Sequence, residues 1–537
     1  MTKKESNTFF KGALILAVSN ILIKIIGAVF KIPLTRIVGD YAMGLYNTAY
    51  TYYTILLTIA TAGLPIAISK MISESRALGK YSLAKRIFRM ALLTCAALGL
   101  FGTVVMLLAP SVLGKFFPAA YGVLFNNPDT IESLWALAPA VLFISVAAAF
   151  RGYFQGHNDM LPTALSQLTE ALCRLFVGLA LAYLFIKIGL AQKFIAAGAI
   201  FGITFGTLLS ALLLFGIFLY RKKKAGNELD ALQDDRSGKT IFNNLMSIAV
   251  PVTIGALVIN LTNFIDTIMI PSRLLSIGEY TRDRVTELYG IYTSYAVSMF
   301  NLVPNVLISI NASITPVVAA AYAREDKKEL HSTLTSAIRL VIIISAPAAV
   351  GISVLSQPIL SLLFGVGESA NIAAGALSIL SFGSLFLCIS SLASTILQSL
   401  GKASIPVYNM LIGAGLKLLA NFFLIAIPGV ELLGAAIGTV ICYAVIAILN
   451  LAYLAKFIGF KPSLSTYLRP LIATVVMGAI AFFVCNLISG IFISIVVSIG
   501  TAAIGYGVVL IAIGGITRED VKLLPKGEKI ANLLRLK

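Results

Sequence analysis

The sequence predicts an all-α integral membrane protein with fourteen transmembrane helices, built as two six-helix lobes plus two C-terminal helices. Three observations predict this class. First, 58% of the 537 residues are hydrophobic and only 12% are charged, against about 25% charged residues in a soluble globular chain. Second, the mean hydropathy is +0.94, and apolar stretches of roughly 20 residues, enough to cross a bilayer, recur along the chain. Third, the two halves repeat each other. Together these exclude a soluble enzyme, a secreted disulfide scaffold and a disordered chain.

The elements follow in order. The stretch 12–35 comes after Lys3 and Lys4, runs past the length of a signal-peptide core, carries Lys24 and lacks a small-residue cleavage pattern. It therefore reads as the first span. The others are expected at 46–69, 90–110, 132–150, 163–186, 194–220, 241–270, 289–318, 338–357, 371–398, 404–428, 432–455, 470–489 and 491–516. Assigning the connections alternately to two sides places 30 of the 41 Lys and Arg on the side shared by both termini, counting Arg339 at the cytoplasmic end of its span, and 7 on the other; Lys24, Lys31, Arg174 and Lys417 fall deeper within spans. Positive residues mark the cytoplasmic side, so both termini are expected in the cytoplasm. The +18 net charge is then mostly a topology signal, and no nucleic-acid partner is expected.

Spans one to six resemble spans seven to twelve. Gly44-Leu45-Tyr46 matches Gly290-Ile291-Tyr292, and Arg89-Met90-Ala91 matches Arg339-Leu340-Val341. Pro110 matches Pro358, and Gln155 with Pro162 matches Gln398 with Pro406, all in the same order at offsets of 243 to 250. Each half holds an even number of spans, so these are parallel repeats. The expected organisation is a lobe at 1–220, a charged linker at 221–240 and a second lobe at 241–456. Two extra helices at 457–516 and a tail at 517–537 complete it.

Catalytic and metal chemistry find little support. Cys95, Cys173, Cys388, Cys442 and Cys485 lie far apart in apolar stretches with no C-x-x-C spacing, the pattern of inert core thiols. His157 and His331 have no second ligand at metal spacing. Gly238-Lys239-Thr240 ends like a phosphate-binding loop, but position 233 is Gln rather than the required glycine. Arg151, His157 and Asp159 read as a solvated cytoplasmic turn. No cofactor and no metal site are expected.

Ionisable residues inside spans are costly and usually face the bundle interior. Lys24 and Lys31 are seven residues apart, about 10 Å along one helix face. Glu170 and Arg174 have the i, i+4 spacing of an intrahelical ion pair, with a structural role as open as a functional one. Asp266 follows Asn260 and Asn263 in a polar stripe, and its other reading is a salt bridge between lobes. Lys417 is close to the repeat counterpart of Arg174. Thr54, Thr58 and Thr61 share one face of span two and suit a hydrated cavity. A cavity rich in lysine fits an anion such as phosphate or diphosphate, held by point charges rather than by bidentate arginine.

Several stretches resemble one family: Lys11-Gly12-Ala13-Leu14, Lys24-Ile25-Ile26-Gly27 through Ile37-Val38-Gly39, and above all Ala62-Gly63-Leu64-Pro65-Ile66-Ala67-Ile68-Ser69-Lys70. Gln155-Gly156, Met160-Leu161-Pro162-Thr163 with Gln167, and Asp266-Thr267-Ile268-Met269-Ile270-Pro271 add to it. The chain is similar over its whole length to the polysaccharide-biosynthesis flippases of the MOP superfamily, in the SpoVB/YtgP branch related to the MurJ lipid II flippases. That resemblance implies a MATE/MurJ-like fold and transport of an undecaprenyl-linked saccharide lipid, best lipid II, from the inner to the outer leaflet, with cell-wall synthesis proteins as partners. In MurJ-like proteins span one carries R-x-x-G-x-x-R. Here Lys24 and Gly27 match its first part, Phe30 stands at the second basic position, and Lys31 follows. The two extra spans would form the groove for the lipid tail. Other readings remain: a flippase for a teichoic, capsular or sporulation-specific precursor, a MATE-like exporter of cations or drugs, and a scaffold for cell-wall synthases.

Overall fold

A computed structural model describes residues 3–224, 236–459, 464–517 and Asp520. Most of the expected linker 221–240, through residues 225–235, lies outside the described residues, as does all of the tail 517–537 except Thr517 and Asp520. Every regular element among the described residues is helical. The chain forms two compact units: 1–268 with 281–290, and 269–280 with 291–537.

The first unit contains α1 (Lys3–Thr61), α2 (Leu64–Ala77), α3 (Tyr81–Phe116), α4 (Pro118–Leu124), α5 (Thr130–Gly156), α6 (Leu161–Ile188), α7 (Gln192–Lys224), most of α8 (Gly238–Ile277) and α9 (Arg282–Ile291). The second holds α10 (Val297–Phe300), α11 (Leu302–Ala323), α12 (Lys327–Val354), α13 (Ser356–Phe364), α14 (Glu368–Ser399), α15 (Ser404–Leu424), α16 (Glu431–Ile458), α17 (Leu464–Leu487) and α18 (Ile491–Ala512).

The repeat reappears in the packing. In the first unit α3 packs on α5, α5 on α7, and α6 on α7; in the second α12 packs on α14, α14 on α16, and α15 on α16. The C-terminal pair α17 and α18 pack on each other, and α17 lies along α12. Tyr506 on α18 donates to the Ile343 carbonyl at 2.8 Å, and the Arg339 guanidinium meets the fully buried Asp520 carboxylate at 2.7 Å.

Twelve helices among the described residues are long and apolar enough to cross a membrane, against the fourteen expected. Two local features depart from the expected spans. The first two expected spans are joined without a loop: α1 runs through both, kinked at Gly39, whose φ of 79° and ψ of 171° suit only glycine. The eighth, 289–318, is interrupted by a π-helical turn at Tyr292–Ala296 and by a second break at Asn301, whose side chain donates to the Val297 carbonyl at 2.9 Å.

Close helix approaches explain two sequence motifs. Expected span two breaks between Thr61 and Leu64, with Pro65 in the first turn of α2, where its missing N–H removes no hydrogen bond. A Cβ on Gly63 would stand 2.0 Å from the Ala249 carbonyl oxygen of α8, so this approach of α8 requires glycine there. Gly44 and Gly290 make the second approach. A Cβ on Gly44 would lie 2.2 Å from the Thr286 carbonyl oxygen, and one on Gly290 would lie 2.1 Å from that of Asp40.

Candidate functional site

A cavity of about 260 Å³ lies in the first unit, bounded by α1, α5 and α6. Its position follows from small residues on α7. Gly198, Gly202 and Gly206 are four apart, so they form one ridge. A Cβ on Gly202 would sit 2.6 Å from the Gly178 nitrogen, and one on Gly206 would sit 2.9 Å from the Glu170 carbonyl oxygen. Small residues let membrane helices approach backbone to backbone. Here they seat α6 against α7 and fix the turns carrying Gln167, Glu170 and Arg174, all of which line the cavity.

The polar centre is Arg151 of α5. Its Nη2 donates to Glu170 Oε2 at 3.1 Å and to Ser210 Oγ at 3.2 Å, and its Nε donates to Ser166 Oγ at 3.0 Å. The Arg151 and Glu170 side chains are only 11% and 19% exposed. In such surroundings a charge is tolerated when it is paired and hydrogen-bonded. Arg174 is held differently. Its guanidinium carbon lies 5.5 Å from the centre of the Tyr50 ring, a cation–π contact, while its buried Nε has no hydrogen-bond partner. Gln167 Oε1 and the Tyr53 hydroxyl are also buried without a hydrogen-bond partner. Two arginines against one carboxylate leave the wall with a formal charge of +1, and a buried guanidinium N–H is left to donate. That arrangement can accept an anionic oxygen.

Of the residues singled out from sequence, the structure brings Glu170 and Arg174 to this cavity and corrects how they pair: Glu170 bonds to Arg151, not to Arg174. Lys24 is exposed and Lys31 half-buried. Neither lines the cavity, where α1 instead presents Asn20, Ile23, Gly27 and Phe30. Phe30 thus takes a wall position where the resemblance implies a basic residue. Thr54 and Thr58 donate to the carbonyls of Thr51 and Thr54 on their own helix; Thr58 also accepts from Asn260 Nδ2 at 2.7 Å. Of that threonine face only Thr61 reaches the cavity. Asp266 is buried on α8, next to the 2.8 Å hydrogen bond between Thr267 and Tyr289.

Lys417 belongs to the second unit. It is 1% exposed and shares the buried face of α15 with Gly413 and Asn421. Close packing against α16 explains that burial: a Cβ on Gly413 would meet the Cys442 carbonyl oxygen at 3.0 Å, and one on Gly438 would meet Asn421 Oδ1 at 2.2 Å.

Sequence reasoning missed Arg151 and Gln167. The apolar run thins after residue 150, which by sequence places Arg151 in a solvated turn. In the structure α5 continues to Gly156, with Phe150 and Phe154 both buried. Those two phenylalanines, four apart, were the available signal that the helix and its buried face extend past Arg151.

The all-helical fold is shared with solved structures of a MATE family transporter of the MOP superfamily and of lipid II flippase MurJ. The chain belongs to the family described as polysaccharide biosynthesis protein, whose profile matches residues 9–322; the MatE profile matches 292–423. Among curated relatives, stage V sporulation protein B of Bacillus subtilis is 27% identical over 482 residues, 90% of each chain. Lipid II flippase MurJ of the same organism is 26% identical over 506 residues, 91% of this chain and 90% of that one. A solved structure of lipid II flippase MurJ, in an inward closed conformation, superposes with a TM-score of 0.66 at 15% identity, covering 92% of this chain and 98% of that one.

Proposed function

We propose that the protein is a flippase that moves a polyprenyl-diphosphate-linked cell-wall precursor, with lipid II the best single substrate, from the inner to the outer leaflet by alternating access. The observation that carries this reading is the buried Nε of Arg174, free to donate, beside the Arg151–Glu170 pair, in a cavity of net positive charge. A diphosphate supplies the acceptor oxygens such a wall needs, and charge-assisted bonds to phosphate are among the stronger hydrogen bonds. The relationship to a lipid II flippase over about nine-tenths of both chains supports the cargo class.

In this reading Arg174 attracts the diphosphate, with Lys24 and Lys31 of α1 adding positive potential outside the cavity wall. Glu170 balances the basic groups when no cargo is bound, and Thr61 lines the hydrated path. Both termini lie in the cytoplasm of the bacterial plasma membrane, as the 30-to-7 distribution of basic residues supports. An inside-negative potential favours outward movement of an anion by about 2.3 kcal/mol per charge per 100 mV.

Complementation tests the proposal. The native lipid II flippase of a bacterium is depleted, and the wild type or the Lys24→Ala, Lys31→Ala or Arg174→Ala variant is expressed at equal membrane levels. Rescue by the wild type and failure of Arg174→Ala is the expected result. Failure of the inserted wild type would overturn lipid II as cargo. Rescue by every variant would overturn the site.

A further inference from the structure

A second cavity, of about 230 Å³, lies in the first unit between the end of α2, the start of α3 and the first turns of α8. We propose that it binds the headgroup of an anionic phospholipid of the cytoplasmic leaflet, independently of the cargo that crosses.

The lining has two chemistries. Lys70, Arg236, Asn244 and Ser247 supply cationic and polar groups, beside Ser75 and one carboxylate, Glu74, which leaves the lining with a formal charge of +1. Met71, Leu78, Leu83 and Ile248 supply apolar surface. Free phosphate needs only the first; a phosphodiester with glycerol and acyl carbons attached needs both. The ammonium of Lys70 is not committed elsewhere. Its contact with Glu74 is 3.9 Å long, and the two side chains are 58% and 61% exposed, a geometry in which an ion pair contributes little. Arg236 is tethered at the rim, its carbonyl accepting from Arg86 Nη2 at 2.6 Å. The surroundings raise the positive potential: Lys80, Lys85, Arg86 and Arg89 stand on the adjoining turn and first turns of α3. The charge asymmetry of the sequence assigns this end to the cytoplasmic side, where anionic lipids gather and basic pockets between membrane helices bind their headgroups.

A basic field that only orients the chain in the membrane would attract any anion without regard to the cavity. The test separates the two. The full chain is reconstituted in nanodiscs of phosphatidylcholine with graded phosphatidylglycerol, and bound lipid is counted by native mass spectrometry after release into detergent. Three proteins are compared: wild type, Lys70→Gln with Arg236→Gln, and Lys85→Gln with Arg89→Gln. The last pair removes the same charge from exposed positions outside the cavity. The wild type is expected to retain phosphatidylglycerol over phosphatidylcholine by about tenfold. The cavity pair should lose most of that preference and the control pair should keep it. All four side chains are exposed, so each protein is expected to fold, and equal melting temperatures check this. Equal losses in the two variants, or no preference in the wild type, would overturn the proposal. Full displacement of the lipid by millimolar inorganic phosphate would overturn the lipid assignment in favour of a soluble anion.

Discussion

Replacing Glu170 with glutamine should act on the empty cavity and on its ligand in opposite directions. In the empty protein the change removes the carboxylate bonded to Arg151, at 3.1 Å, with both side chains less than one-fifth exposed. Breaking a buried pair by removing one partner costs about 3–5 kcal/mol. Here Ser166 and Ser210 still accept from Arg151, and the glutamine oxygen can take the place of the carboxylate oxygen, so about 2–3 kcal/mol is expected. The melting temperature should fall by several degrees. For an anion the sign reverses. The formal charge of the wall rises from +1 to +2, and one unit charge at about 6 Å with an effective dielectric constant near 20 is worth roughly 3 kcal/mol, or about a hundredfold in affinity. Partial screening leaves at least about tenfold. The assay is a melting curve of the purified protein in detergent, with inorganic pyrophosphate titrated as the probe. Glu170→Gln should melt lower than wild type without pyrophosphate and be stabilised by it at lower concentrations. An unchanged melting temperature would refute the role given to the Arg151 pair. Weaker or equal pyrophosphate binding would refute the anion-binding assignment.

Other expectations follow from the same geometry. Arg174→Ala should weaken pyrophosphate binding by about tenfold or more, since it removes the uncommitted donor, and isothermal titration reads this directly. Gly290→Ala places a methyl group 2.1 Å from a backbone oxygen, so α1 and α9 must separate; overpacking of this kind costs about 1–3 kcal/mol, seen as a lower melting temperature. Asp520→Asn leaves the Arg339 guanidinium, 12% exposed, without its carboxylate. It should lose about 3 kcal/mol locally, and hydrogen exchange at the C-terminal end of α18 should quicken while exchange in α5 stays unchanged.

The sequence made the architecture legible because hydropathy reports the solvent directly. A chain with this much apolar surface has few alternatives to membrane helices, and the spacing shared by Gly44 and Gly290 or by Pro110 and Pro358 marks the repeat. Continuity was less legible. Gly39 and Gly63 each interrupt an apolar run, and hydropathy is the same on both sides of a kink. The lining of the cavity was legible only in part. Glu170 and Arg174 stood out as charges in an apolar stretch, but their helical spacing suggested a mutual pair. The partner of Glu170 comes from α5, 19 positions away in sequence, and no local pattern carries that information. Arg151 was passed over because it lies where the apolar run thins, although the helix and its buried face continue beyond it.

The approach of α1 to α9 is self-complementary. Gly44 closes on the backbone at Thr286, and Gly290 closes on the backbone at Asp40. Asp40 and Thr286 have the same separation in sequence as Gly44 and Gly290. Each glycine therefore meets the repeat counterpart of the residue that its twin meets, the reciprocity found where two identical subunits share a twofold axis. In a dimer of two half-length copies a single glycine would serve both sides, and one substitution would alter the seam twice. In this chain the two sides are separate positions, free in principle to diverge. Because each faces a carbonyl rather than a side chain, no compensating change in its partner can make room, and both positions stay restricted to glycine.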